Sequence, residues 1–322
     1  MDKVIKNICG DAIETMKQLE SESIDLIVTD PPYNLSKDYG VSKDNLSLEE
    51  YIDFTKSWLT EAHRVLKKNG TIYVFMGMKF ISHIYIIMEQ EFDMKFNSWI
   101  TWHYTQGIGK KKGFSPRHDD ILMFTKSNNF TFNLDDIRVP QKYYRKRNNM
   151  RGANPGNVWQ LSHVHYSQKG RTAHPTQKPE ALIERIILAS SNEGDKVLDP
   201  FVGSGTTTRV CQQTNRSCIG IDLFENYIKM SNDRLLEDFT GFDSIDERML
   251  RVPNDLNDSI LRKEYIANHI QWFLNNHEKN INDFLDKVLA KYDKKLSIEE
   301  KSFYQSLKIN NNHGQQISFE IT

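Results

Sequence analysis

A doubly wound, mostly parallel α/β sheet is the fold class this sequence predicts, with a basic insert and a helical C-terminal extension. Three observations predict it. Short apolar strands alternate with helix-like segments as far as about residue 240. Two of those strands run into turn motifs, Asp30-Pro31-Pro32-Tyr33 and Asp199-Pro200-Phe201-Val202-Gly203-Ser204-Gly205. Beyond residue 240 the apolar positions change to helical spacing.

Residues 3 to 9 read as a strand, followed by a helix from about Asp11 to Leu19. Ile24 to Thr29 is an apolar strand that ends at Asp30. Residues 34 to 46 are polar and Gly-containing, with a mobile character. Ser47-Leu48-Glu49-Glu50 is a capping box that opens a helix to about Lys68, with Gly70 as its stop. Thr71 to Met76 is a buried strand, Lys79 to Gln90 a helix, and Ser98 to His103 a strand. A basic, Gly-rich loop over 105 to 118 precedes a strand over 121 to 125. Residues 127 to 173 show little periodicity, and a loop of that length in a compact domain is normally functional or disordered. Pro179 starts a helix ending near Gly194. Val197 to Asp199 is a strand, Ser204 to Thr214 a helix, and Cys218 to Ile221 a strand ending in Asp222. Ile260, Ile266, Ile270 and Leu274 suggest one C-terminal helix. Ile281, Phe284, Leu285, Val288, Leu289 and Tyr292 suggest another. A helical cap is one reading of that segment, and a recognition or dimer-forming surface another. The last dozen residues are Asn- and Gln-rich, which predicts poor order.

The two turns carry the chemistry. Asp30-Pro31-Pro32-Tyr33 offers a carboxylate, a carbonyl in a proline-stiffened turn and an aromatic face within four residues. In the Gly-x-Gly turn, glycines let a ligand approach the backbone before the helix begins. Asp222 follows Gly203 by 19 positions, where nucleoside-binding α/β folds hold a ribose diol. In open α/β sheets, ligands bind outside the carboxyl ends of strands where strand order reverses. The two turns share one crevice if their strands are central neighbours.

The chain resembles the amino-group DNA methyltransferases of the β arrangement, in which the catalytic motif precedes the cofactor motif. The resemblance rests on Asp30 to Tyr33, on Asp199 to Thr207, and on His174-Pro175-Thr176-Gln177-Lys178-Pro179. Cys9-Gly10-Asp11-Ala12 also matches, as does Trp102 through Phe124 with its Arg117-His118-Asp119-Asp120-Ile121-Leu122 stretch. It covers residues 1 to 238 and implies a seven-stranded-type, Rossmann-like methyltransferase sheet. It also implies S-adenosylmethionine as cofactor and a restriction-modification or epigenetic role. Asp11 would receive the donor's adenine amino group. Phe201, Gly203 and Gly205 would line its body, and Asp222 would hold its ribose. Thr176 and Lys178 would sit near its carboxylate, with Thr206, Thr207, Asp199 and Asp30 close by. His174 is expected to stabilise its turn.

An exocyclic amino nitrogen is a poor nucleophile because its lone pair is delocalised into the ring. Acceptors on its two hydrogens, here the Asp30 carboxylate and the Pro31 carbonyl, free that lone pair and stabilise the developing charge. Pro32 stiffens the turn, and Tyr33 can stack on the extruded base. Adenine N6 is the expected target, with cytosine N4 as the alternative. Ring-carbon methylation needs a cysteine nucleophile, in that family within a Pro-Cys dipeptide, and the chain has no Pro-Cys. A non-catalytic DNA-binding module retaining the cofactor fold is a further alternative, opposed by the intact Asp30 and Tyr33. A nicotinamide dehydrogenase fits poorly, because the turn lacks a third glycine.

The net charge of −1 hides a strong asymmetry. Residues 101 to 178 hold 14 Lys or Arg and 4 Asp or Glu, a local +10, which leaves −11 elsewhere. That pattern suits a protein meeting phosphates on one face. The expected DNA contacts are Lys110, Lys111, Lys112, Arg117, Lys142, Arg145, Lys146, Arg147 and Arg151. The interleaved aromatics Tyr143, Tyr144, Trp159, His165 and Tyr166 support a nucleic-acid surface. The domain expectation is a catalytic α/β domain over 1–103 and 174–238, a recognition insert over 104–173 and a helical extension over 239–322. Double-stranded DNA is the expected partner, and the reading leaves open a homodimer and a cognate restriction endonuclease. No apolar run of 18 residues and no leader pattern occur, so a cytoplasmic protein off the membrane is expected. Cys9, Cys211 and Cys218 have no metal-ligand spacing and read as reduced structural thiols, so no metal is expected.

Overall fold

The computed structural model describes residues 3–34, 45–104, 109–143, 152–164, 171–243 and 245–308. The chain forms two compact units. The first holds residues 1–137 and 155–239, and the second 138–154 and 240–322. The stretch 104–173, expected as one insert, is thus shared between them.

The first unit is built on an eight-stranded sheet. Its strands are β1 (Ile5–Cys9), β2 (Ile24–Thr29), β3 (Leu66–Met76), β4 (Lys95–His103), β5 (His118–Thr125), β6 (Val158–Gln160), β7 (Lys196–Asp199) and β8 (Ser217–Asp222). They lie in the order β1-β8-β7-β2-β3-β5-β4-β6. Pairing is parallel except on either side of β5, which runs antiparallel to β3 and β4. Strand β2 is buried at every position but the half-buried Asp25, and β3 is buried from Gly70 to Met76, as strands covered on both faces are. The helices are α1 (Ala12–Lys17), α2 (Leu48–Val65), α3 (Ile81–Ile86), α4 (Glu180–Ser190), α5 (Thr206–Gln213) and α6 (Glu225–Leu236). Helix α1 packs on α2, while α4 packs on α5 and α5 on α6. The doubly wound, mostly parallel α/β class is the one observed.

Local chemistry explains most boundaries. Ser47 caps α2 with both capping-box bonds, Glu50 N to Ser47 Oγ and Ser47 N to Glu50 Oε2. Tyr51, Thr55, Trp58, Leu59, Ala62 and Val65 put one face of α2 into the core. Gly70 is not the helix stop. Helix α2 ends at Val65, Leu66 is already extended, and Gly70 lies within β3. The register against β2 jumps from Leu66 to Thr71, so Lys67 to Gly70 bulge out of the ladder. A Cβ on Gly70 would come within 2.6 Å of Leu66, which is the reason for a glycine there. Helix α3 passes into a π-turn over Ile87–Glu91 within the expected 79–90 helix. Strands β4 and β5 begin three residues earlier than expected, at Lys95 and His118.

The stretch 127–173 is less irregular than expected. It contains a 3-10 turn at Leu134–Ile137 and the edge strand β6, an eighth strand beyond the expected seven. Trp159 of β6 is buried under the Arg185 guanidinium, 5.1 Å from its ring centre, so it is a core residue and not part of a nucleic-acid surface. Tyr144, His165 and Tyr166 lie outside the described residues, as do 35–44 of the expected mobile segment.

The second unit carries α7 (Ser259–Asn276), α8 (Ile281–Tyr292) and α9 (Ile298–Ser306). Ile266, Ile270, Phe273, Phe284, Leu285 and Val288 form its core. Ile260 is 76% exposed on the outer face of α7, contrary to its expected place in the apolar stripe. A buried Arg262–Glu300 pair at 2.8 Å ties α7 to α9. Val139 and Ala153 exchange two backbone bonds and close the loop between them, and Asn254 N donates to Lys142 O. The Asn- and Gln-rich end from 309 lies outside the described residues. Among the described residues, no helix is long and apolar enough to cross a membrane.

Candidate active site

Strands β2 and β7 are parallel neighbours, with Leu26 opposite Val197 and Ile27 opposite Leu198. From β7 the chain crosses through α5 to β8 on one side, and from β2 through α2 to β3 on the other. Strand order therefore reverses between them, which opens a crevice at their carboxyl ends. A cavity of about 690 Å³ occupies it. Asp11, Thr176, Lys178, Asp199 and Asp222 line it, together with the whole Asp30 to Tyr33 turn. So do Phe201, Gly203, Thr206 and Thr207. Gly205 is not part of the lining.

The Asp-Pro-Pro-Tyr turn is tightly held. Tyr33 Oη donates to Asp30 Oδ1 at 2.7 Å, and the Lys178 ammonium pairs with Asp30 Oδ2. Lys178 also sits 5.6 Å from the Tyr33 ring centre and 5.4 Å from that of Phe75. Tyr51 Oη donates to Pro32 O at 2.8 Å. Asn34, at φ 52°, both accepts from and donates to the Leu46 backbone. Resemblance put Lys178 near the donor carboxylate, and the structure shows it on the Asp30 carboxylate.

The Gly turn is braced from behind. Gly203 and Gly205 take left-handed φ of 49° and 76°, where other residues are strained. A Cβ on Gly203 would meet the His174 ring at 2.8 Å, and one on Gly205 the Ser231 side chain at 2.7 Å. Ser231 Oγ donates to Gly203 O, and Arg234 Nη1 to Ser204 O, both at 2.8 Å. Arg234 and Arg209 share the buried Glu180 carboxylate at 2.8 and 3.0 Å, so these interior charges are paired. His174 accepts from Thr176 N and packs edge-on against Tyr227, in keeping with a turn-stabilising residue.

The carboxylates differ in task. Asp199 accepts from Phe201 N and from Thr207 Oγ1 and shapes the turn. Burial pushes its carboxyl up to about 7, against the lowering effect of those bonds. Asp222 accepts from Gly203 N and Phe224 N, and burial raises it too. Thr206 Oγ1 donates to Lys178 O at 3.1 Å, so both threonine hydroxyls serve the protein. Asp11 caps α1 through Glu14 N and is exposed to the cavity. Cys9 pairs with Asp222 in register, which sets Asp11 and Asp222 on adjoining strand ends. Two carboxylates for hydroxyl and amino groups, over an apolar floor of Val28, Phe75 and Phe201, fit a sulfonium nucleoside donor.

Sequence reasoning missed several lining residues, namely Tyr51, Tyr104, His163 and Arg171. Tyr104 directly follows β4, a strand-end position that could have flagged it. Its ring centre lies 3.9 Å from that of His163, and burial with Asp119 pushes its phenol up. His163 and Arg171 carry no such signal. Of the expected DNA contacts, Lys110, Lys111 and Lys112 are exposed on the β4–β5 loop, and Arg117 is half-buried there. Lys142 lies in the second unit, beside the ring of the exposed Tyr143. With Arg248 and Arg251 it lines a shallow cleft of about 520 Å³. Arg145, Lys146, Arg147 and Arg151 lie outside the described residues. Among the described residues, no His, Cys, Asp or Glu cluster could hold a metal ion.

A mixed, mostly parallel sheet with a donor-type Gly turn and an Asp-Pro-Pro-Tyr turn at one switch point defines an amino-group methyltransferase. The chain belongs to the DNA methylase family, whose model matches residues 24–233, and is an S-adenosylmethionine-dependent enzyme. It is 66% identical over 295 residues to the type II methyltransferase M.HpaI of Haemophilus parainfluenzae, covering 91% of this chain and 94% of the relative. It is 41% identical over 243 residues to the DNA adenine methyltransferase YhdJ of Escherichia coli, covering 71% and 81%. Among solved structures, the M1.HpyAVI–SAM complex matches at TM-score 0.52 and 27% identity, over 72% of this chain and all of that one. The PvuII cytosine-N4-specific methyltransferase shares the fold at TM-score 0.60 and 20% identity, over 85% and 95%.

Proposed function

We propose that this protein methylates the N6 amino group of adenine at a specific site in double-stranded DNA, as the modification half of a type II restriction-modification system. The observation that carries the reading is the Asp30 to Tyr33 turn opening into the same cavity as Asp11, Asp222 and the Gly203 turn. The E. coli relative named as a DNA adenine methyltransferase supports adenine over cytosine. When bound, S-adenosylmethionine supplies an electrophilic methyl group on a positive sulfur.

The residues of the chain do the rest. Asp30 and the Pro31 carbonyl accept the two amino hydrogens and turn the nitrogen lone pair outward. One of those protons leaves toward Asp30 as the new C–N bond forms. Each Asp30 oxygen already has one partner, Tyr33 on Oδ1 and Lys178 on Oδ2, and a carboxylate oxygen accepts more than one hydrogen bond, so acceptor capacity remains for the amino group. Tyr33, which lines the pocket, packs on the extruded base. Asp222 and Asp11 hold the donor's hydroxyl and amino groups. Lys110, Lys111, Lys112, Arg117 and Lys142, with Arg145, Lys146, Arg147 and Arg151, supply phosphate contacts. A cognate endonuclease reading the same site is the implied companion.

Digestion of treated DNA followed by nucleoside mass analysis tests this. N6-methyladenine is expected with the parent and none with Asp30→Ala. N4-methylcytosine, or undiminished turnover by the variant, would overturn the reading.

A further inference from the structure

The β4–β5 loop holds a side chain that neither the fold nor the donor cavity uses. Phe114 is 99% exposed, the most exposed large apolar side chain among the described residues. A single exposed apolar residue needs no explanation by itself. This one has a specific setting. Lys110, Lys111 and Lys112 stand exposed just before it, and Gly113, at φ 82°, turns the chain into it. Lys110 N donates to Ser115 Oγ at 2.7 Å, which gives the turn a fixed local form. Tyr104 N donates to Arg117 O at 2.9 Å and closes the loop at its base. Tyr104 and Asp119, on either side of that closure, line the catalytic cavity.

We propose that Phe114 is a stacking wedge, inserted into the duplex where the target adenine leaves it. The proposal rests on the reading that the base is extruded from double-stranded DNA. Extrusion breaks two stacking contacts and leaves the opposite base unpaired. An aromatic ring entering that gap restores stacking, as apolar wedges do in DNA-bending proteins. The three lysines neutralise the phosphates beside the gap without reading sequence. Hydrated lysines and a fully hydrated phenyl ring on one short turn match the two faces of a nucleic acid, anionic backbone and apolar base stack. Phe114 touches neither the donor nor the reacting nitrogen, so it is a positioning residue.

The test compares Phe114→Ala and Phe114→Trp with the parent. The substrates are a matched duplex and the same duplex with an abasic site opposite the target adenine. Base extrusion is read separately from 2-aminopurine fluorescence at the target position, with S-adenosylhomocysteine bound. Phe114→Ala should lose at least tenfold in kcat on the matched duplex and most of the fluorescence gain. It should come within about threefold of the parent on the abasic duplex, whose adenine is already loosened. Phe114→Trp should restore both readouts, and donor affinity should be unchanged throughout. Changing Lys110, Lys111 and Lys112 to Ala should instead weaken DNA binding and flatten its salt dependence, with the fluorescence of the saturated complex unchanged. A Phe114→Ala variant matching the parent on the matched duplex, or equally impaired on both duplexes, refutes the wedge. A parent inactive on every duplex refutes the methylation reading itself, which separates the two failures.

Discussion

The ion pair between Lys178 and Asp30 gives a prediction that can be worked from the structure. The side chains are 10% and 21% exposed, so solvent screens the pair incompletely. Two charges near 4 Å attract by about 4 kcal/mol at an effective dielectric of about 20. Removing one partner of a buried pair typically costs about 3–5 kcal/mol, because the other charge is left uncompensated. Lys178→Met and Asp30→Asn should therefore each destabilise the sheet unit by roughly 2–4 kcal/mol. The double variant should lose well under the sum, with a coupling of about 2 kcal/mol. Hydrogen exchange of β2 and β7 amides in the donor-free protein measures it, because those strands flank the pair. Effects that add within about 0.5 kcal/mol would refute the reasoning and leave Lys178 free for the donor carboxylate.

Three further outcomes are expected. Gly205→Val places a β-branched residue at φ 76° with its Cβ 2.7 Å from Ser231, so donor affinity measured by calorimetry should fall at least tenfold; unchanged affinity would mean that the turn does not shape the pocket. Burial lowers His269 to about 4, so the folded helical unit takes up its proton later than the unfolded chain as pH falls. Stability present above pH 6.5 is then lost toward pH 4, at up to about 1.4 kcal/mol per unit, and His269→Phe should flatten a pH series of urea midpoints. Changing Arg145, Lys146 and Arg147 together to Ala should weaken DNA binding and lower its log–log salt slope by roughly 0.9 per lost phosphate contact, with donor affinity retained; the parent's slope would make that segment a solvated loop.

The parts that rest on short-range chemistry were legible in the chain alone. The Asp-Pro-Pro-Tyr turn, the capping box at Ser47 and the Gly-x-Gly turn into α5 are each written within a few residues. So is the spacing from Gly203 to Asp222. These are enough for the fold class and for the two turns that face the cavity. Tertiary structure decided where chain-distant groups meet. Nothing local shows that Lys178 reaches Asp30, 148 positions away, or that Arg234 and Arg209 converge on Glu180. Composition suggested that Trp159 faces nucleic acid, but pairing of β6 on β4 buries it, because one more paired strand satisfies backbone groups and covers apolar area. Gly70 looked like a helix stop, yet α2 ended five residues earlier to let Leu66 pair with β2. The basic segment is divided between the two units. A charge run states what it attracts, while packing of its flanking apolar residues decides which body carries it.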